Sequence, residues 1–139
     1  MRLWHNVLMA TLTQFNPLLK LELETVEEGI EIAALNDFIA KSGLTNADIY
    51  EVVLPARTLK HRKARNEPLS IDESDRLARL VRVFDHAVRV WSTPERARQW
   101  LSAPKKRFEG RTPIQMLRTE IGGRMVDNFL GQIDHGMFA

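Results

Sequence analysis

Four histidines, eighteen carboxylates and twenty lysine or arginine side chains are the groups through which this 139-residue chain could do chemistry. The histidines stand at positions 5, 61, 86 and 135, never at the close helical spacing that a metal pair uses. Cysteine is absent, which removes disulfides, zinc ribbons, iron–sulfur clusters and thiol nucleophiles together. Gly110 and Gly122-Gly123 match no phosphate-cradling glycine loop. Asp72–Arg76, Asp75–Arg79 and Asp85–Arg89 are spaced four apart with the acid first, which predicts solvated ion pairs worth a few tenths of a kcal/mol each. These residue types predict no catalytic group, no metal site and no cofactor, and hence no enzyme.

The remaining chemistry is charge. Residues 1–54 carry three basic and eight acidic side chains, a net of −5, whereas residues 55–139 carry 17 and 10, a net of +7. The steepest concentration is Arg57-Thr-Leu-Lys-His-Arg-Lys-Ala-Arg65, with five formal cations in nine residues and no acid. Polyanions are the usual partners of such a surface. Leu59 is the inward anchor of this segment. Arg57, Thr58, Lys60, His61 and Lys63 lie largely off it, as in the second helix of a helix-turn-helix, with Arg62 and Arg65 expected nearer phosphates. The joint before it, Val53-Leu54-Pro55, lacks the glycine usual in such a turn. A basic solvated helix, or one facing the chain's own acidic half, is the simpler alternative.

The elements that must hold this cluster read as helices. The first 25 residues show no clean period, and Leu19–Glu24 alternates apolar and polar as a strand or extended arm would. From Val26 the pattern turns helical, with Ile30, Ala33, Ala34, Phe38 and Ile39 recurring three and four apart before Gly43. Thr45 or Asn46 caps a second helix, and Pro55 opens a third that Asn66-Glu67-Pro68 stops. Ser70-Ile-Asp-Glu73 is a capping box, followed by one stripe of Leu77, Leu80, Val81, Phe84, Ala87, Val88 and Trp91. Thr93-Pro94 and Thr112-Pro113 open short helices on either side of a basic loop at 103–110. Thr119 or Glu120 opens the last helix, with Ile121, Met125, Val126, Phe129, Leu130 and Ile133 on one side and a stop at His135-Gly136. The fold class is therefore all-α. An arm at 1–25, a three-helix unit at 26–68 and a helical unit at 69–139 are expected. No apolar run reaches the ~20 residues of a membrane span and no signal-peptide pattern opens the chain, so no membrane partner and a cytoplasmic location are expected.

From Pro55 onward the spaced positions resemble a known family. They are Pro55-Ala-Arg57-Thr58-Leu59-x-x-Arg62, then Leu69-Ser70-x-x-Glu73-Ser74-Asp75-Arg76-Leu77-x-Arg79-Leu80, then Ala97-x-x-Trp100-Leu101. Thr112-Pro113-x-x-Met116-Leu117-x-Thr119-x-x-Gly122 and Val126-x-x-x-Leu130-x-x-Ile133-x-x-Gly136-x-x-Ala139 complete the series. The pattern resembles the Xre/ParS/MbcA-type antitoxins, partners of RES-domain toxins, over roughly residues 29–139.

The resemblance implies an amino-terminal Xre-like helix-turn-helix domain for dimerisation and operator DNA, followed by a helical DUF2384 domain that binds the toxin. It implies a type II antitoxin that obstructs an NAD-consuming toxin, represses its own operator, and forms a homodimer through the amino-terminal domain and a larger hetero-oligomer with toxin. NAD would be the toxin's substrate, not a ligand of this chain. On the same ground Gly122, Gly123, His135, Gly136, Met137, Phe138 and Ala139 are expected at the toxin. Phe138 would serve as an apolar plug, or else fold back onto Phe129 or Ile133. The two glycines cost about 1 kcal/mol each in a helix against alanine, which close packing on a neighbouring helix or the toxin would explain. The alternative function is a helix-turn-helix transcription regulator whose carboxy-terminal domain only oligomerises.

Overall fold

The computed structural model describes residues 23–136, all of whose regular elements are helical. The alternating stretch before Leu23, and Met137, Phe138 and Ala139, lie outside the described residues. In chain order the elements are α1 (Leu23–Glu28), α2 (Ile32–Ser42), α3 (Asn46–Val52), α4 (Ala56–Arg65), α5 (Ile71–Trp91), α6 (Pro94–Leu101), a single 3₁₀ turn (Lys106–Phe108), α7 (Pro113–Met116) and α8 (Glu120–Asp134). Among the described residues no helix is long and apolar enough to cross a membrane.

Helix α5 is the axis. Its capping box forms as the sequence requires: the Glu73 N–H donates to Ser70 Oγ at 3.1 Å and the Ser70 N–H donates to Glu73 Oε1 at 2.8 Å. Leu77, Leu80, Val81, Val83, Phe84, Ala87 and Val88 are then buried in succession, and α1, α2, α3, α6 and α8 all pack against this one helix. Phe38 of α2 meets Phe84 edge-on at 5.8 Å between ring centres, an arrangement worth about 0.5–1.5 kcal/mol beyond area burial. The buried side chains form one continuous core from Ile30 to Leu130, so the units at 26–68 and 69–139 share it.

Two expectations about the amino-terminal unit change. Leu23, Glu24 and Thr25 belong to helix α1, not to an extended arm. The pattern beginning at Val26 is also not one helix: Gly29 turns the chain at φ 93°, and α2 starts only at Ile32. The break is stabilised by pairing. Ile30 donates its N–H to Ser74 Oγ at 2.8 Å and accepts from the Leu69 N–H at 2.9 Å. A Cβ at position 29 would lie 2.4 Å from the Leu69 carbonyl oxygen, so the close approach needs glycine. Ile30, Phe38 and Ile39 are the apolar residues that periodicity offers for a dimer contact; Ile30 and Phe38 are fully buried in the chain's own core, and Ile39 is half-buried against it.

The carboxy-terminal unit departs from expectation at α8. Thr119 caps it, its hydroxyl accepting from the Gly122 N–H at 3.0 Å. Val126 and Leu130 face the core, while Ile121 and Met125 are 71% and 44% exposed, so the apolar residues split between two faces. Gly122 and Gly123 permit the split. A Cβ at Gly122 would stand 1.9 Å from the Met116 carbonyl oxygen, and one at Gly123 would stand 3.0 Å from Arg79 Cδ. The glycines expected at the toxin are thus buried against α7 and α5. The helix start swings in close, and its flank turns outward. Nor is the stretch 103–110 simply a loop: Phe108 is buried at its 3₁₀ turn.

Opposite responses are expected at two glycines of α8. Gly122→Ala forces backbone apart and should destabilise the chain by about 3 kcal/mol or more. Gly131→Ala, with no described atom within 4 Å of its new Cβ, should stabilise by up to about 1 kcal/mol through helix propensity alone. Urea denaturation of the two variants beside the parent checks both signs.

Candidate functional site

The basic cluster forms α4. Leu59 is its one fully buried side chain, and Arg57, Lys60, His61, Lys63 and Arg65 are exposed. Arg57, Lys60 and His61 fall three and four residues apart, so they share the face opposite Leu59, with Lys63 and Arg65 on its flanks. Thr58 is half-buried at the boundary. α3 and α4 are joined by Val53, Leu54 and Pro55, and the glycine-free turn has a physical basis. Val53 and Leu54 are buried as plugs in the core, and Arg76 Nε donates to the Val53 carbonyl at 2.8 Å. An arginine from α5 closes the turn. It is therefore engaged there, in the place of the surface pair with Asp72 that spacing suggests.

Arg62 is the cluster member that sequence misplaced. Its Nε donates to Glu73 Oε1 at 3.2 Å, Nη2 to Oε2 at 3.3 Å and Nη1 to Glu67 at 3.1 Å. It faces inward, tying α4 to the start of α5, and is not on the face with Lys60. The pairing holds the guanidinium above its ordinary pKa, chiefly through the hydrogen bond to Glu73. Burial pushes the Glu73 carboxyl up, but hydrogen bonds from the Ser70 N–H and from Arg62 outweigh it, so the carboxyl sits below its ordinary value. Asn66, in the left-handed conformation at φ 53°, then ends α4.

Arg79 makes the matching clasp on the other side. It is almost fully buried, and donates Nε to Glu120 at 3.1 Å, Nη1 to the Leu117 carbonyl at 3.2 Å and Nη2 to Asp75 at 3.4 Å. The Asp75–Arg79 pair predicted from spacing exists, with Asp75 and Glu120 at the surface and only the arginine buried, Gly123 packed on its stem. Further along, His86 Nδ1 lies 3.1 Å from Asp127, which also faces Arg82 at 3.6 Å. Asp85 and Arg89 pair as spaced, with the arginine exposed and Asp85 largely buried, its Oδ1 left without a hydrogen bond among the described residues.

Two surfaces remain on the carboxy-terminal unit. One is an aromatic ladder of Trp91, Trp100, Phe129 and Phe108, with successive ring centres 5.4–6.1 Å apart. Lys105 lies over Trp100 at 4.7 Å and Arg107 over Phe129 at 4.1 Å, so these cations sit on rings and not simply in water. Burial lowers the Lys105 pKa. α8 ends beyond this ladder at His135 and Gly136, both exposed. Gly136 turns at φ 72°, with no described atom within 4 Å of where a Cβ would stand. The other surface is an open groove of about 740 Å³ between α3, α7 and α8, with Met116, Ile121 and Met125 along it and Arg111 and Arg118 at its rim. Nothing in the sequence pattern separated Ile121 and Met125 from the core stripe. Only the glycine pair beside them hinted that the helix start was special.

The Glu73–Arg62 pair yields a signed expectation. A carboxyl whose folded pKa is depressed stabilises fully above its unfolded pKa, and that stabilisation is lost as pH falls through the folded value. Glu73→Gln should lower stability at neutral pH by about 1–2 kcal/mol, since the half-buried Arg62 loses one of its two carboxylate partners and keeps only Glu67. The loss relative to the parent should shrink on acidification below the ordinary carboxylate range. Chemical denaturation at pH 7 and pH 3.5 measures it.

Residues 22–82 match the family model of the antitoxin Xre-like helix-turn-helix domain, and residues 86–136 match that of the antitoxin Xre/MbcA/ParS C-terminal toxin-binding domain. The two ranges meet inside α5. An "Antitoxin Xre" of Pseudomonas putida is 46% identical over 84 residues, 60% of this chain and 53% of that protein, so the match spans about half of that relative. An "Antitoxin Xre" of Photorhabdus laumondii is 32% identical over 114 residues, 81% of this chain and 77% of that one. A protein of Sphingobium sp. named "Prs ADP-ribosylating antitoxin" is 30% identical over 124 residues, 82% of this chain and 78% of that one. With a helix-turn-helix held on one side of α5 and a toxin-binding domain on the other, the chain belongs to the Xre/MbcA/ParS family of antitoxins.

Proposed function

We propose that this antitoxin neutralises a RES-domain toxin by binding it through residues 69–139 and bringing its own last residues to the mouth of the toxin's NAD site. We assign autoregulatory operator binding to residues 26–68, acting as a homodimer within a larger toxin–antitoxin assembly. One observation carries the toxin half: the match of 86–136 to a toxin-binding domain, combined with an α8 that ends exposed at His135 and Gly136. Gly136 supplies a left-handed turn that other residues adopt with strain, and it leaves open space where a concave partner's wall could approach. Met137, Phe138 and Ala139 follow that turn directly. Phe138 supplies the apolar bulk of the plug.

The DNA half is supported by α4. Arg57, Lys60 and His61 form its outward face, where base edges would lie, and Lys63 and Arg65 flank it toward phosphates. Arg62 serves the fold, holding α4 at a fixed angle to α5 through Glu73.

Removing Met137–Ala139 leaves every described element in place. The truncated chain is expected to keep its helical content and its DNA affinity, to retain part of its toxin affinity, and to lose inhibition of NAD consumption at matched concentrations. Normal inhibition by the truncated chain would refute the plug. Lys60→Ala/Lys63→Ala should weaken retardation of the DNA upstream of its coding sequence. It should also reduce the slope of log affinity against log salt by about 0.9, the share of the one phosphate contact assigned to Lys63. An unchanged slope would remove α4 from the DNA interface.

A further inference from the structure

Helix α8 is held unevenly along its length. Its first turn is clasped by the Thr119 cap and by Arg79, and its middle by His86 and Arg82 on Asp127 and by the burial of Val126 and Leu130. Leu130 is its last buried side chain. Gln132 and Ile133 beyond it are half-buried, and Asp134, His135 and Gly136 are exposed. The last turn also carries the wrong charge for its place. It contains Asp134 and no basic residue, where the free carbonyls of a helix end favour a cation. At about 1.5 Å of rise per residue, Gly136 stands about 9 Å past Leu130, so a tilt of about 10° at Leu130 would carry it about 1.5 Å aside.

The missing cation comes from another segment. Arg107, on the 3₁₀ turn, lies over the Phe129 ring at 4.1 Å and donates Nη1 to Gln132 Oε1. Phe129 and Gln132 are three apart on one face of α8, so a single guanidinium grips two successive turns. The segment that carries it is closed on itself. The Lys105 N–H donates to the Arg111 carbonyl and the Gly110 N–H to the Lys105 carbonyl, each at 3.0 Å. Phe108, next to Arg107, is buried and meets Phe129 edge-on at 5.7 Å. Glu109 reverses the chain at φ 56°, a left-handed conformation that side chains adopt at a cost. This segment has no role in the neutralisation or DNA readings above.

We propose that the turn at 105–111 is a bracket for the carboxy-terminal end of α8, with Arg107 as its positioning residue. By stacking on Phe129, bonding Gln132 and supplying the cation that the last turn lacks, Arg107 sets the direction in which the chain leaves the core after Leu130. It thereby decides whether the residues after Gly136 reach the toxin's NAD site. The inference rests on the tail plug proposed above and adds the part of the chain that aims it. Toxin binding is shared over a whole domain, whereas obstruction of a site depends on where one short segment ends. A functional group must be held to within about 0.5 Å, less than the displacement that a small tilt produces. Loss of the bracket therefore separates two properties: the toxin stays bound, and its NAD site is left partly open.

The test compares Arg107→Ala and Arg107→Lys with the parent, as full chains. In the free protein, Arg107→Ala is expected to speed amide hydrogen exchange over residues 131–136 about two- to fivefold, with residues 123–130 at parental rates. Titrated into purified toxin, it should bind with parental affinity and leave NAD consumption that persists at saturating antitoxin. Arg107→Lys keeps a cation over the ring and loses the planar fork, so it should restore most of the inhibition. Helical content by circular dichroism should match the parent, because Arg107 is exposed. Unchanged exchange at 131–136 overturns the bracket. Weaker binding with complete inhibition at saturation overturns it too, because Arg107 is then a toxin contact and not a positioning residue. Complete inhibition at parental affinity, beside a truncated chain that fails to inhibit, overturns the aiming role. If the chain lacking Met137–Ala139 inhibits normally, the plug has failed and the aiming role falls with it, whereas the exchange rates, read without toxin, still report the bracket.

Discussion

Burial of one face of α5 along 21 residues is the constraint on which the rest of this structure depends. Among the described residues α5 is the longest helix, and elements from both ends of the chain pack against it. Its apolar stripe supplies non-directional attraction, which by itself does not fix the angle at which α4 or α8 approaches. The angles are fixed by polar groups on the first turns of the same helix. Glu73 takes Arg62 of α4, Ser74 takes the backbone of Ile30, Arg76 takes the carbonyl of Val53, and Arg79 takes Glu120 and the Leu117 carbonyl. Buried polar groups are tolerated only when paired, so each of these contacts admits little variation in geometry.

That arrangement has a consequence for a chain that joins a helix-turn-helix domain to a toxin-binding domain. The helix-turn-helix and the toxin-binding domain are not beads on a linker; they share α5 and a continuous core. α4 is anchored by Leu59 and by the Arg62–Glu73 fork, so the position of its cationic face is set by the helix that also carries the Arg79 clasp. A partner that shifts α8 against α5 acts on the same spine that orients α4.

The excess of cations in the second part of the sequence also divides by use. Arg62, Arg76 and Arg79 serve the interior or its edge, and Lys105 and Arg107 cover aromatic rings. The cations that remain in water are spread over α4, the rim of the groove and the outer faces of α5, α6 and α8, at Arg82, Arg89, Arg96 and Arg124. Net charge alone overstated the basic surface, because a guanidinium hydrogen-bonded to a carboxylate and a carbonyl presents little field to a partner. Arginine suits these internal posts because its planar fork donates to several acceptors at once.

Much of the fold was legible in local pattern, because capping and helical periodicity are short-range. The capping boxes at Thr112 and Ser70, the long stripe of α5, the proline starts at 94 and 113, and the inward anchor Leu59 all follow from residues within four positions of one another. The cationic face of α4 was readable for the same reason, and the spaced signature pointed to the family. What local pattern did not carry was the identity of long-range partners. Arg62 reads as another surface cation until Glu73 is folded against it, and Arg79 reads as the exposed partner of Asp75 until the Leu117 carbonyl and Glu120 draw it into the interior. Ile30 looked like part of a helix, and Ile121 and Met125 looked like core. Periodicity records which side chains share a face, but whether that face meets another helix or water is decided by where Gly29 and Gly122 let the backbone come close. The sequence by itself determined the helices, their ends and the family. Only the tertiary structure decided which charges are buried and which apolar side chains are left outside, because both depend on contacts between residues dozens of positions apart.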